Sequence, residues 1–185
     1  SKKNWRKHKN NLISTKPTII YCARLLKSKG INLFLEMSNH LSTCNFEVFG
    51  EIDANNKDSL TVLEYKNINK LYPKVKMHGK VDKPLFKVKS EYPILIIPSN
   101  YGEGFPRAFL EASLLNIPVI VSESVSKIIG LNNMVYVSKG DNLDSYEECI
   151  KDVLSDFKEG ILMKKVLGIK KIVKKEYSEK NLVKK

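Results

Sequence analysis

A chain of 185 residues, 42% hydrophobic and 28% charged, fits one globular domain folding in water. Its strongest apolar run, around Tyr92-Pro-Ile-Leu-Ile-Ile97, is strand-sized, far short of what spans a bilayer. The net charge of +12 sits at the ends: residues 1–17 hold six Lys or Arg and no acid, residues 158–185 hold ten Lys against three acids, and the body between is close to neutral.

In chain order, residues 1–17 are basic and polar with no apolar segment behind them, so no signal peptide is expected and a linker is. β-Branched runs predict strands over 17–23, 46–50, 75–79, 94–98, 118–122 and 134–137. Amphipathic stretches predict helices over 31–41, 59–65, 84–88, 106–115 and 143–154, and one or two more in the lysine-rich 160–185. Such alternation is the pattern of the α/β class: a Rossmann-like parallel sheet with helices on both faces. Residues 94–97 lack alternation, as a central strand covered on both faces would. Cys22, Cys44 and Cys149 are odd in number and lack CxxC spacing, so reduced, mostly buried thiols of a cytosolic protein are expected. Charge at the ends suits an anionic membrane surface or anionic partner better than nucleic acid, whose binding domains carry charge along a folded face; solvated tails are the plain alternative.

The segment from Ser99 to Pro118 is the most informative. Pro106 suits a first helical position, and Asn116 before Pro118 suits a left-handed cap and a stop. The loop before this helix follows a strand, where ligands of open α/β sheets bind. Gly102 and Gly104 allow close backbone approach there, and unpaired N–H groups at the helix start can donate to ligand oxygens. Glu111 is a lone carboxylate on an otherwise apolar helix, and burying it costs free energy unless it is hydrogen-bonded. Two readings fit: an i,i+4 surface ion pair with Arg107, or, with Glu103, a pair of carboxylates facing the hydroxyls of a ligand.

Glu103-Gly-Phe-Pro-Arg-Ala-Phe-Leu-Glu111 closely resembles the EGFPRxLLEA signature of retaining glycosyltransferase family 4, the group 1 glycosyltransferases, which have the two-domain GT-B architecture. Ala23-Arg-Leu-Leu-Lys-Ser-Lys-Gly30 resembles that family's GRL…KG segment, Val75-Lys-Met-His-Gly79 its V-x-x-x-G strand, and Gly140-Asp141 its G-D before the last core helix. The resemblance implies a nucleotide-sugar (donor) binding domain over 18–157, flanked by the basic linker 1–17 and a Lys-rich helical segment, 158–185. It implies that Arg24 and Lys29 neutralise the donor's diphosphate and that Glu103 contacts the donor sugar, aided by main-chain N–H groups near Gly104 and Phe105. Glu111 would accept from ribose hydroxyls, and the backbone around His78 and Gly79 would border the base.

Catalysis would rest on positioning and on Arg24, Lys29 and Glu103, with no metal and no cofactor beyond the nucleotide-sugar substrate, a UDP-sugar by the EGFPR form. The implied acceptor is a glycan or lipid-linked species of capsule, lipopolysaccharide or exopolysaccharide assembly, handled in the cytoplasm or at the inner face of the membrane. An acceptor-binding N-terminal domain is expected before residue 1, and this half alone is expected to transfer no sugar. The chain departs from the family at Ala23, usually Gly, and at Val121-Ser-Glu-Ser-Val-Ser-Lys-Ile-Ile129. Many relatives have there a Gly-containing turn followed by an acid, which helps hold the donor phosphates; here the turn is expected to be shortened and lacks glycine, with Ser122 and Ser124 as substitute donors. A dinucleotide-dependent oxidoreductase would need GxGxxG after the first strand and a P-loop protein GxxxxGK[ST], and neither occurs. A non-catalytic nucleotide- or anion-binding module is the remaining alternative.

Overall fold

The computed structural model describes residues 16–100 and 104–176. In order the elements are β1 (Thr18–Cys22), a 3-10 turn (Lys27–Lys29), α1 (Ile31–His40), β2 (Asn45–Phe49), α2 (Val62–Leu71), β3 (Val75–Met77), α3 (Pro84–Lys87), β4 (Pro93–Ile97), α4 (Arg107–Leu115), β5 (Val119–Ser122), α5 (Glu123–Ile129), β6 (Tyr136–Ser138), α6 (Leu143–Glu159) and α7 (Leu162–Glu176). The six strands form one sheet in the order β3-β2-β1-β4-β5-β6, every pairing parallel. The expected α/β class with a Rossmann-like parallel sheet is what the chain adopts.

The central strands β1, β4 and β5 are buried on both faces, which explains their unbroken apolar runs. Side chains alternate between two cores. Ile19, Tyr21, Ile94, Ile96 and Ile120 face one, with α1 and α6; Ile20, Leu95, Val119 and Val121 face the other, with Phe109 of α4 and Val125 of α5. α7 bridges them, giving Leu162 and Val166 to the first and Ile169 and Val173 to the second. The lysine-rich stretch to Glu176 is thus packed structure, one helix after α6 is closed by Gly160 at φ +78°. The basic segment 1–17 lies almost wholly outside the described residues.

Several boundaries differ from the sequence reading. α2 starts at Val62, not 59, because Thr61 and Glu64 form a reciprocal capping box, while Ser59 is buried and bridges to Leu26. It runs to Leu71 although its second half has little apolar periodicity. α5 was not expected at all. α6 continues five residues past the expected end at 154.

Two glycines with positive φ separate backbone preference from crowding. A Cβ on Gly30 (φ +74°) would meet the Pro98 carbonyl oxygen at 2.3 Å, whereas one on Gly79 (φ +68°) would meet nothing within 4 Å. Gly79→Ala should therefore cost about 1 kcal/mol for the left-handed backbone, and Gly30→Ala a further ~1–3 kcal/mol for displaced packing. Urea midpoints of the two variants check this; equal losses would contradict it.

Candidate functional site

Because β1 lies beside β4, the chain leaves these neighbouring strands in different directions and a crevice opens between their carboxyl ends. A cleft of about 450 Å³ occupies it. Its walls come from the end of β1 (Tyr21 to Arg24), from Lys29, from the end of β4 (Ile96 to Ser99) and from Gly104 to Ala108 at the start of α4. Among the described lining residues are three cations, Arg24, Lys29 and Arg107, and no carboxylate. Such a lining favours an anion.

Backbone contacts fix the cleft's walls. The Tyr21 hydroxyl donates to the Arg24 carbonyl at 3.0 Å, and Leu25 N–H to the Glu51 carbonyl at 3.0 Å. Gly50 lies against the Ala23 carbonyl so closely that a Cβ would come within 1.9 Å of its oxygen. Arg24 is exposed and held by one nitrogen: Nη1 lies 2.6 Å from Oδ2 of the half-buried Asp53. That contact aims the guanidinium, and among the described residues it is the one hydrogen bond the side chain makes.

The sequence-predicted residues divide as follows. Arg24, Lys29, Gly104 and Phe105 line the cleft. Glu103 lies outside the described residues. Glu111 is half-buried, and no ion pair joins it to Arg107 among the described residues, so the surface-pair reading is not what forms. It accepts from the Leu85 amide at the start of α3, and burial, then the Asp82 carboxylate, push its carboxyl up from the usual range. Oε2 is buried with no hydrogen-bond partner among the described residues. Glu111 in turn acts on Cys22, a lining residue whose thiol burial pushes up to about 12.

His78 and Gly79 lie past β3, on the same carboxyl edge but outside the lining. The His78 ring stacks on Phe49 at 4.2 Å between centroids, 3° from parallel, and its Nε2 lies 3.2 Å from Glu47 Oε2. The expected substitute phosphate donor Ser122 is corrected. It is buried, its hydroxyl donates to the Ser99 carbonyl at 2.5 Å, and its oxygen caps α5 by accepting from Val125 N–H at 3.3 Å. No short turn is present there, because β5 passes directly into a helix. Asp53, which holds Arg24, and Asp58, which accepts from Ser28, gave no signal in the sequence.

A family model described as glycosyl transferases group 1 matches residues 16–156. An enzyme of Campylobacter jejuni, N,N'-diacetylbacillosaminyl-diphospho-undecaprenol alpha-1,3-N-acetylgalactosaminyltransferase, is 29% identical over 153 residues, covering 81% of this chain and 39% of that protein. Anabaena HepE in complex with UDP-glucose superimposes with a TM-score of 0.69 at 16% identity, covering 86% of this chain and 44% of that one. The C-terminal domain of a group 1 family protein, LpcC of Francisella tularensis, superimposes with a TM-score of 0.67 at 20% identity, covering 89% and 88%. The two structures share this fold. The chain spans well under half the length of the Campylobacter relative.

A carboxyl whose pKa is raised on folding stabilises while protonated and loses that contribution as pH rises through the raised value. Glu111→Gln should therefore gain stability relative to the parent as pH rises from about 4 to about 7. Urea midpoints across that range check it; a constant difference would show that the carboxylate is not desolvated.

Proposed function

This chain belongs to the group 1 glycosyl transferases, and we propose that it forms the donor-binding half of a retaining, metal-independent enzyme using a nucleotide-sugar. The observation that carries this reading is that every charged side chain among the described lining residues of the cleft between β1 and β4 is a cation: Arg24, Lys29 and Arg107. Arg24 and Lys29 would bind the diphosphate, Glu111 the ribose hydroxyls, and His78 and Gly79 would border the base. Glu103, with N–H groups near Gly104 and Phe105, would take the sugar hydroxyls.

The Anabaena complex supports UDP as the nucleotide, and the name of the Campylobacter relative supports a lipid-diphosphate-linked acceptor. Surface-glycan assembly on the cytoplasmic side of the membrane, with an acceptor-binding domain completing the enzyme, is the setting that fits both. In this reading the acceptor hydroxyl attacks the anomeric carbon on the face the diphosphate leaves. Arg24 and Lys29 stabilise the charge gathering on the departing phosphate, and the cleft supplies orientation.

Binding separates the assigned roles. Arg24→Ala or Lys29→Ala should each weaken UDP binding by about 1.5–3 kcal/mol and leave uridine, which lacks the diphosphate, nearly unaffected. Glu111→Gln should weaken both by a similar amount, since both carry the ribose. Titrations of UDP, GDP, ADP and uridine measure this and identify the base; parallel losses of UDP and uridine in the Arg24 variant would remove it from the phosphates.

No described helix is long and apolar enough to cross a membrane. α7 does turn Lys164, Lys171, Lys174 and Lys175 outward, which supports peripheral contact with an anionic bilayer. Sedimentation with vesicles containing anionic lipid should retain the protein and lose it when these four become Gln. Unchanged retention would assign the lysines to solubility.

A further inference from the structure

The turn that carries Lys29 has an N-terminal cap from a distant loop. Its own N-cap position is Leu26, which makes no side-chain cap bond, and leucine has no acceptor to offer. Asp58, from the loop between β2 and α2, supplies one instead. Its Oδ2 accepts the Ser28 amide at 3.0 Å, thirty residues away in sequence, and also the Ser28 hydroxyl. The Asp58 carbonyl accepts from Lys27 N–H at 2.9 Å. The Ser28 hydroxyl and then the Ser28 amide, both donating to it, hold the Asp58 carboxyl below its ordinary range.

Asp58 is itself well anchored. Its amide donates to Asn56 Oδ1 at 3.0 Å, and the adjoining Ser59 is buried, bridges to Leu26 and accepts the Asp53 amide at 2.9 Å. The opposite side of the turn is held as firmly, the Ser28 carbonyl accepting from the Asn100 amide at 3.1 Å and the Ser99 hydroxyl at 3.4 Å. Ser28 is therefore clamped between Asp58 and the loop after β4, one residue from Lys29. Asp53, five residues before Asp58 in the same loop, holds Arg24.

We infer that Asp58 is a positioning residue for anion binding: by clamping Ser28 it sets where Lys29 stands relative to Arg24 in the cleft. The inference rests on the donor-binding reading above. Asp58 is not among the residues lining the cleft and acts through the turn. A diphosphate presents its charges at a fixed spacing, so two cations gain from it together only if their separation is set beforehand.

The test titrates UDP and uridine into the 185-residue chain, with urea midpoints measured alongside. Asp58→Ala should lower UDP affinity about tenfold and change uridine affinity less than about twofold. Asp58→Asn, which keeps an oxygen for the Ser28 amide, should recover most of that loss. Ser28→Ala, losing only the hydroxyl contact, should fall between the parent and Asp58→Ala, and it serves as the probe if Asp58→Ala does not fold. Undiminished UDP binding in Asp58→Ala, parallel losses of UDP and uridine, or no recovery in Asp58→Asn would overturn the inference while leaving the donor-binding reading intact. A parent chain that binds UDP no better than uridine would overturn that reading and, with it, this one.

Discussion

The pairing of β1 with β4 governs the rest of the molecule. Thr18 lies opposite Pro93 and Tyr21 opposite Ile96, so two strands far apart in sequence sit side by side and end together. From that shared edge the chain leaves β1 toward α1 on one face and β4 toward α4 on the other, opening the only kind of gap a parallel sheet offers a ligand. Gly30 packs so close to Pro98, which lines this gap, that a Cβ on it would meet the Pro98 carbonyl oxygen at 2.3 Å. The loop between β2 and α2 braces it from the side. The cleft thus follows from strand order, and its chemistry from the few side chains the loops hold over it.

Charge in the site is distributed by burial. Arg24 and Arg107 are exposed, so water limits the cost of their charge, and Arg24 is steadied by the Asp53 carboxylate. Glu111 is treated differently, turned toward Cys22 and the start of α3 with one oxygen unpartnered among the described residues. In the proposed donor complex, the ribose hydroxyls would give that oxygen the partner it lacks.

How much was legible from sequence depended on how local the cause was. The central strands announced themselves because burial on both faces demands unbroken apolar runs, and α4 because Pro106 and Asn116 mark its ends; Asn116 does take the left-handed cap conformation. The EGFPR segment carried the family. Three features were hidden. α5 was missed because Glu123-Ser-Val-Ser has no strong helical signal and its cap, Ser122, doubles as a buried donor to Ser99. The start of α2 at Val62 rather than 59 follows from Thr61 and Glu64, whose spacing makes a capping box that Ser59, with Val62 three residues on, cannot form. Asp53 and Asp58 became recognisable only once the fold brought their loop against Arg24 and Ser28, contacts 29 and 30 residues apart in sequence.

The central claim is that the cleft between β1 and β4 holds the diphosphate of a nucleotide. Its most direct measurement is the affinity of the chain for UDP, UMP and uridine at low and high salt. The account predicts saturable one-to-one binding that strengthens from uridine to UMP to UDP, with a salt dependence that grows in the same order as more charge is neutralised. Equal affinity for the three ligands, or a UDP affinity indifferent to salt, would contradict it.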